Sequence, residues 1–164
     1  MKEVEVFTDG SCRGNPGPGG CACILRYQQH SKEVFCGFLK TTNNRMELRA
    51  IILALELLKE PCRVTIYSDS KYVVCAVNDG WLNGWKGNFW RKSDKKTVLN
   101  IDLWKHLDIL IQKHECRFVW VKGHAVNENN NRCDELARSA ANSKDLSEDH
   151  GFIENTELIN VELF

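Results

Sequence analysis

Acidic side chains at the ends of predicted strands are the residues of this chain best suited to chemistry. Asp9 and Asp69 each follow a run of alternating apolar residues that predicts a β-strand, and the Gly/Pro-rich segment 14–20 indicates that the first strand ends near Asp9. In open α/β sheets, ligands bind where the carboxyl ends of strands meet. We therefore expect Asp9 and Asp69 to lie together at one edge of a sheet. The alternative for Asp9 is a side chain that only shapes a turn.

Two further acids are expected to reach the same edge from helices. Glu47 lies in the first turn of a predicted helix, 46–59, and Asp134 opens the last predicted helix, 132–142. An acid at a helix N-terminus can also serve only to offset the helix dipole, and this alternative stays open for Asp134. Glu56 lies nine residues after Glu47. Nine steps of about 100° place it on the opposite side of the helix, so we assign Glu56 to solvent.

Three or four carboxylates in one pocket repel one another, and each raises the pKa of its neighbours unless cations neutralise the charge. Mg²⁺ suits such a site because it prefers oxygen ligands and shares the oxygens of a substrate phosphate. Two such ions about 4 Å apart stabilise both the attacking and the leaving oxygen of an in-line phosphoryl displacement. The acids therefore predict a metal-dependent enzyme that acts on phosphodiesters.

The elements that must position these acids follow one another in the order βββαβααβα. Short turns join the first three strands into an antiparallel meander, and each later strand is reached through a helix, which predicts parallel pairing. We predict an α/β fold with a mixed five-stranded sheet, three antiparallel strands and then two parallel ones, flanked by helices. The predicted strands are 3–9, 21–27, 33–39, 63–67 and 117–121, and the other two helices are 70–77 and a segment that begins at Asn100.

Length and composition indicate one globular domain followed by a tail. The chain has 164 residues, 43% of them hydrophobic and 27% charged, with no net formal charge. The charge is uneven, because 81–97 holds five basic residues and one acid, a net +4, whereas 144–164 holds six acids and one lysine, a net −5. We predict a catalytic domain over 1–143 and an acidic tail over 144–164, which is either flexible or folds on a protein partner.

Nothing in the sequence indicates export or membrane insertion. No charged leader precedes an apolar run and no apolar run has membrane-spanning length, so we expect a cytoplasmic protein without a membrane partner, which we predict to be a monomer. Several of the eight cysteines lie within apolar segments, and none forms a Cys-x-x-Cys pair. We interpret them as reduced and mostly core residues, with a zinc site as the alternative.

Six sequence motifs are similar to those of one known family. They are FTDGSC (7–12), NPGPGG (15–20), TTNNRMEL (41–48), YSDSKYV (67–73), WVKGHA (120–125) and RCDELA (132–137). Together they resemble the motifs of type 1 ribonucleases H of the bacterial kind. The resemblance implies an endonuclease that hydrolyses the RNA strand of RNA/DNA hybrids with two Mg²⁺ ions, or Mn²⁺, and leaves 3′-hydroxyl and 5′-phosphate ends.

The resemblance also assigns catalytic roles by position. His124 matches an auxiliary histidine of the family, which could move a proton or help the product leave, because an imidazole titrates near neutral pH. By composition alone, a histidine in a loop is usually a solvated side chain. The four metal-ligand positions of the family fall on Asp9, Glu47, Asp69 and Asp134.

For the substrate, the resemblance implies a minor-groove surface, a pocket for a phosphate of the DNA strand, and a basic protrusion that contacts the DNA strand. A nuclease that ignores base sequence must read backbone shape and the 2′-hydroxyl that distinguishes RNA from DNA. The minor-groove residues are Cys12, Asn15, Asn43 and Asn44, the pocket residues are Lys40, Thr42 and Asn100, the protrusion contains Trp81, Trp85 and Lys86, and Lys71 and Tyr72 complete the substrate-binding set.

Three other functions fit parts of the sequence. A DNA nuclease or resolvase of the same fold would not need the asparagine-rich minor-groove set, and a non-catalytic nucleic-acid-binding module would not need all four acids. A phosphate-loop ATPase needs a Gly-Lys-Ser/Thr ending, which 15–20 lacks. The chain departs from the family pattern at 86–89, which is less basic, and at 126–131, which lacks the usual Gly/His/Pro-containing sequence.

Overall fold

The computed structural model describes residues 1–123 and 127–152 of the chain. These residues form one sheet with helices packed on both of its faces. The strands are β1 (Lys2–Cys12), β2 (Gly17–Tyr27), β3 (His30–Thr41), β4 (Cys62–Ser68), β5 (Glu115–Trp120) and β6 (Leu146–Ser147), and the helices are α1 (Asn43–Glu56), α2 (Lys71–Asn78), α3 (Trp81–Gly87), α4 (Ile101–Gln112) and α5 (Glu128–Ala141).

The order of the strands confirms the predicted mixed topology. It is β5-β4-β1-β2-β3-β6, with β1, β2 and β3 antiparallel and with β4 and β5 parallel to β1. The sixth strand, β6, pairs in parallel with the outer edge of β3. It is absent from the predicted set because two residues are too few to show a periodic pattern.

The register of the two central strands brings their acids to one edge of the sheet. The parallel pairing of β1 with β4 ends where Phe7 lies opposite Tyr67. Asp9 and Asp69 each lie two residues further along, so both reach the same edge, as predicted. The prediction that β1 ends at Asp9 is wrong, because β1 continues to Cys12 by pairing with the glycine-containing start of β2.

Alternate side chains of the central strands face two separate hydrophobic clusters. Val4 and Val6 belong to the larger cluster, which includes side chains of α1, α2 and α4. Phe7 and Ala22 point to the other face and pack with Ala137 of α5. The edge that carries the acids is therefore held by a sheet that is buried on both faces.

A helix that is absent from the predicted set, α3, begins the basic segment. It has seven residues, of which Gly84 and Gly87 are poor helix formers, so its helical pattern is weak. Trp85 packs edge-on against Trp104, with 5.3 Å between the ring centroids, and is partly buried against the larger hydrophobic cluster. Trp81, one turn earlier, is 58% exposed.

The start of the predicted tail packs on the domain. Strand β6 extends the sheet, and the side chain of Asp149 is fully buried against α1. The expected flexibility is therefore wrong for 146–149, whereas the division of the chain into 1–143 and 144–164 stays a prediction. Residues 153–164 lie outside the described residues, so a flexible tail and a protein partner for it stay predictions there.

The cysteines agree with the reduced state expected for them. All eight are free thiols, and four of them, Cys21, Cys23, Cys62 and Cys133, are buried. None of the helices in 1–123 and 127–152 combines the length and the apolar character that a membrane crossing requires.

Candidate active site

Three carboxylates meet at the edge of the sheet where β1 and β4 stop pairing. Asp9, Glu47 and Asp69 each offer an oxygen atom, and these atoms lie within 4.8 Å of one another. They line an open cavity of about 360 Å³ together with residues of α5 and of the loop after β5. The predicted convergence of these three acids is therefore present in the structure.

Glu47 reaches the two strand acids because the start of α1 lies directly against β1. Thr42 caps the helix, since its hydroxyl accepts a hydrogen bond from the N–H of Arg45, and this fixes where the first turn begins. Gly10 lets the backbones approach, because a Cβ at this position would lie 2.5 Å from the backbone nitrogen of Glu47. Because Gly10 has no side chain, α1 can pack close enough to β1 for Glu47 to reach Asp9.

Burial and mutual repulsion disfavour the charged forms of these acids. Burial, together with the negative charges of Asp69 and Asp134, raises the pKa of Asp9 to about 8. Glu47 is fully buried, so its pKa is also well above the usual value, and Asp9 and Asp69 raise it further. Without a cation, burial and the neighbouring charges therefore favour the protonated forms of Asp9 and Glu47.

The donor set fits a divalent cation. Glu47 Oε2 is buried and has no hydrogen-bond partner among the described residues, although a buried carboxylate oxygen is normally satisfied. Hard divalent ions bind clustered carboxylate oxygens, and their positive charge favours the ionised forms of these acids. A cation between Asp9, Glu47 and Asp69 would therefore relieve both the repulsion and the unsatisfied oxygen.

Asp134 lines the same cavity but stands slightly apart from the three clustered acids. Its carboxylate forms an ion pair with Arg138 at 2.9 Å, one turn later in α5. The prediction that Asp134 opens its helix is wrong, because α5 begins at Glu128, where the side chain of Asn127 accepts hydrogen bonds from two N–H groups of the first turn. Since Asp134 lies in the second turn, an interaction with the helix dipole does not explain its position.

Two other predicted positions have different outcomes. Glu56 is exposed on the far side of α1, where its carboxylate lies 2.8 Å from His106 Nε2, so its assignment away from the acids is confirmed. His124 lies outside the described residues, and its catalytic role stays a prediction.

The predicted minor-groove residues lie beside the acids. Cys12 and Asn43 line the cavity, and the thiol of Cys12 donates to the carbonyl oxygen of Thr41 at 3.3 Å. The N–H of Asn43 donates to Asn15 Oδ1 at 2.9 Å, which ties the Gly/Pro-rich loop to the start of α1. Asn44 is exposed in the first turn of the same helix. The structure thus brings these four residues together.

Two residues of the predicted phosphate pocket, Thr42 and Asn100, are connected through hydrogen bonds to Arg45. The backbone N–H of Arg45 donates to Thr42, and its guanidinium donates to Asn100 Oδ1 at 3.4 Å. The amide of Asn100 donates in turn to the hydroxyl of Tyr72 at 3.1 Å. Lys40 is exposed near the end of β3, two residues before Thr42.

The remaining substrate-binding candidates lie on the rim and on α3. The ammonium of Lys71 is 5.0 Å from the centroid of the Trp120 ring, and the indole N–H of Trp120 donates to the carbonyl oxygen of Asp69 at 3.1 Å. Lys86 forms an ion pair with Asp108 at 2.9 Å, so its charge is partly neutralised within the protein.

Sequence reasoning missed Asn130 and Arg45. Asn130 donates from its side chain to the carbonyl oxygens of Thr8 and Tyr67, and so ties α5 to the ends of β1 and β4. Its Asn-rich surroundings resemble a loop, and no local pattern marks it. Arg45 does carry a signal, because the helical period places it on the same buried face as Leu48, where a charged residue needs a partner.

Comparisons with known proteins agree with this geometry. The family model of RNase H matches residues 1–142. A ribonuclease H of Proteus mirabilis (strain HI4320) is 57% identical over 94% of this chain and 96% of its own length. A ribonuclease H of Yersinia enterocolitica is 55% identical over 92% of this chain and 97% of its own length.

Solved structures show the same fold. The crystal structure of LC9-RNase H1, a type 1 RNase H with the type 2 active-site motif, has a TM-score of 0.78 and 29% identity, covering 97% of this chain and 81% of its own. LC11-RNase H1 in complex with an RNA/DNA hybrid has a TM-score of 0.62 and 24% identity, covering 84% of this chain and 96% of its own. At that identity the second likeness shows the fold alone.

Proposed function

The chain belongs to the ribonuclease H family of nucleases that act on RNA/DNA hybrids, and we propose that it cuts the RNA strand of such hybrids to leave 3′-hydroxyl and 5′-phosphate ends. The observation that carries this proposal is the group of Asp9, Glu47 and Asp69 at one edge of the sheet. The enzyme is also proposed to be a monomer. Eight free thiols suit a reducing compartment and support a cytoplasmic location.

The metal is proposed to be Mg²⁺, with Mn²⁺ as a substitute, and two ions with the substrate bound. The proposed ligands are Asp9, Glu47, Asp69 and Asp134. When bound, such ions neutralise the developing charge on the phosphate and activate a water molecule. The protein supplies the carboxylates, and Arg138 competes for Asp134 through its ion pair. His124 is proposed to move a proton or to help the product leave.

Recognition of the hybrid is proposed to rest on backbone shape and on the 2′-hydroxyl. Small polar groups lie beside the acids, where the minor groove of the hybrid would bind; they belong to Cys12, Asn15, Asn43 and Asn44. Lys71 and Trp120 extend this surface along the rim, and the basic segment would contact the DNA strand.

Cleavage of three duplexes of the same sequence tests this function. An RNA/DNA hybrid, a duplex DNA and a duplex RNA are each incubated with the protein and Mg²⁺. We expect cleavage of the hybrid and of neither other duplex. The proposed site requires 2′-hydroxyl groups on one strand and the groove shape of an RNA/DNA hybrid. Cleavage of duplex DNA would favour a DNA nuclease of the same fold, and binding without any cleavage would favour a non-catalytic module.

Replacing Gly10 by alanine is expected to lower the free energy of unfolding by about 1 to 3 kcal/mol, the usual cost of overpacking. The added Cβ would lie 2.5 Å from backbone atoms of both Met46 and Glu47, so β1 and α1 would have to separate. Hybrid cleavage should fall about ten-fold or more where the variant is fully folded, since a small misplacement of a catalytic group is costly. Chemical denaturation and steady-state rates measure the two effects.

Gly84→Ala is the matched control for this variant. A Cβ at Gly84 would meet nothing within 4 Å, and alanine is the better helix former in α3. Stability and activity should therefore stay at or above the level of the wild type. Normal activity of Gly10→Ala would show that Glu47 does not need its present distance from β1.

Hybrid binding is expected to weaken steeply with salt, because the basic segment 81–97 would neutralise phosphates. Each neutralised phosphate contributes about −0.9 to the slope of log K against log salt for duplex DNA. Lys86 is paired with Asp108 at 2.9 Å and Lys92 with Asp94 at 3.8 Å, so not every cation of the segment reaches a phosphate. Replacing all five basic residues by alanine should flatten the slope by about 2 to 3 rather than 4 to 5.

Binding isotherms at several salt concentrations measure this slope. The control is Lys59→Ala, because Lys59 lies beyond the end of α1 with Lys2 and Cys62, at the opposite end of the sheet from the acids. An unchanged slope in the five-fold variant would mean that the segment is only a solvated surface. Recognition of the DNA strand would then rest on Lys40, Thr42 and Asn100.

A further inference from the structure

We infer that Asp149 and Arg45 are positioning residues for Asn100, which gives the C-terminal segment 146–152 a part in binding the DNA strand. The inference rests on the proposed function, because it takes Asn100 as a contact to a phosphate of that strand. It adds two residues that make no contact with the substrate. Their effect would pass through a buried network of charges.

Arg45 cannot bind a phosphate itself, because its guanidinium is buried and already paired. Its side chain is 2% exposed, and two carboxylates surround it. Asp102 accepts from Nη1 and Nη2 at 2.8 and 2.7 Å, and Asp149 accepts from Nε and Nη2 at 2.7 and 3.0 Å. Each carboxylate thus holds one edge of the planar guanidinium, and the geometry leaves it a single orientation.

The orientation of Arg45 determines the orientation of Asn100. Arg45 Nη1 donates to Asn100 Oδ1, and this contact turns the amide nitrogen of Asn100 toward the hydroxyl of Tyr72. Tyr72 is itself held, because its hydroxyl also accepts from Trp104 Nε1 at 2.9 Å. Asn100 makes no side-chain hydrogen bond that caps α4, and its side chain instead bonds to Arg45 and Tyr72. The amide therefore lies between two fixed groups.

The C-terminal segment 146–152 contributes to this hydrogen-bond network and packs against it. Asp149 also accepts from Thr41 Oγ1 at 2.7 Å and from Arg49 Nη2 at 2.8 Å, so its carboxylate joins β3 to two turns of α1. Gly151 packs against the other carboxylate, because a Cβ there would overlap Asp102 Oδ2. Strand β6 anchors the start of the segment beside β3. The segment thus supplies one of the two acids that orient Arg45 and packs against the other.

A double-mutant cycle on hybrid cleavage tests the inference, with Asp149→Asn, Asn100→Ala and their combination. We expect each single variant to raise KM about ten-fold, the factor that corresponds to about 1.4 kcal/mol, with kcat changed less than about two-fold. The double variant should be no worse than either single one, because both remove the same contact. If Asp149 acted on binding independently of Asn100, the two effects would add and KM would rise about 100-fold above the wild type.

Two further variants complete the experiment. Gly151→Ala keeps every charge but displaces Asp102, so it should raise KM in the same way and can replace Asp149→Asn in the cycle if that variant does not fold. Glu148→Gln changes an exposed neighbouring acid and should leave KM and kcat unaltered. Additive effects, or an unchanged KM in folded Asp149→Asn, would overturn the inference. Failure of the wild type to cleave the hybrid would instead overturn the proposed function.

Discussion

Asp69→Asn is expected to lower the rate of hybrid cleavage at least about 1,000-fold, which corresponds to about 4 kcal/mol of transition-state stabilisation. Asn keeps the size of the side chain but removes one negative charge and one metal-binding oxygen. Asp69 lies within 4.8 Å of Asp9 and Glu47, and its charge raises the pKa of both. The amide would therefore weaken the divalent-metal site without opening a cavity in the core.

The fold should survive this change, and so should binding of the hybrid. Removal of one charge from a repulsive cluster relieves the repulsion, so the melting temperature measured without divalent metal should not fall. Asp9→Asn should behave in the same way. Glu56→Gln is the control, because Glu56 is an exposed acid on the far side of α1. Near-normal turnover of Asp9→Asn or Asp69→Asn would contradict the metal site.

Asp149→Asn is expected to lower the free energy of unfolding by about 3 to 5 kcal/mol, because removal of one partner from a buried ion pair leaves the other charge uncompensated. The side chain of Asp149 is fully buried between Arg45 and Arg49. At about 2 to 4 °C per kcal/mol for a chain of this size, the melting temperature should fall by roughly 10 °C. Thermal and denaturant unfolding measure both quantities.

The same residue should make stability depend on acidity. Burial alone would raise the pKa of Asp149, but hydrogen bonds from Arg45 and Thr41 lower it from 3.8 to about 2. A carboxylate with a lowered pKa stabilises the fold above its unfolded pKa, and this contribution is lost as the pH falls from about 4 to about 2. Asp149→Asn should lack that part of the acid-induced loss of stability.

Two truncations separate the described segment from the rest of the tail. Removal of 144–164 takes away both β6 and Asp149, so it should destabilise the domain at least as much as Asp149→Asn. Removal of 153–164 leaves both in place, and we expect the melting temperature to change little. Equal stability of the two truncated proteins would contradict a structural role for Asp149.

The sequence was sufficient to predict much of the active site because local patterns encode it. Alternating residues ahead of Asp9 and Asp69 indicate strands, and the helical period separates Glu47 from Glu56. The predicted start of the last helix at 132 was wrong because the Asn-rich run before Asp134 resembles a loop, whereas Asn127 in fact caps a helix there. A cap of this kind is visible only once the following turn is known to be helical.

Local sequence patterns do not reveal ion pairs between residues that are far apart in the chain. Arg45 and Asp149 are 104 residues apart, and Asp149 lies in an acidic stretch whose composition indicates a solvated tail. Composition describes the average of a segment and does not reveal that one acid is buried. The position of Arg45 on an apolar helical face is a signal, missed in the sequence analysis, that a partner exists, but it does not tell which acid the partner is.

Strand-specific cleavage of an RNA/DNA hybrid tests the central claim most directly. Each strand is end-labelled in turn, and the metal-stripped protein is assayed with a chelator and then with added Mg²⁺. We expect Mg²⁺-dependent cleavage of the labelled RNA strand alone, with 3′-hydroxyl and 5′-phosphate ends, and no cleavage by Asp69→Asn. Cleavage of the DNA strand, or cleavage of RNA that persists in the chelator, would contradict the assignment of the carboxylate cluster as a metal-dependent ribonuclease H site.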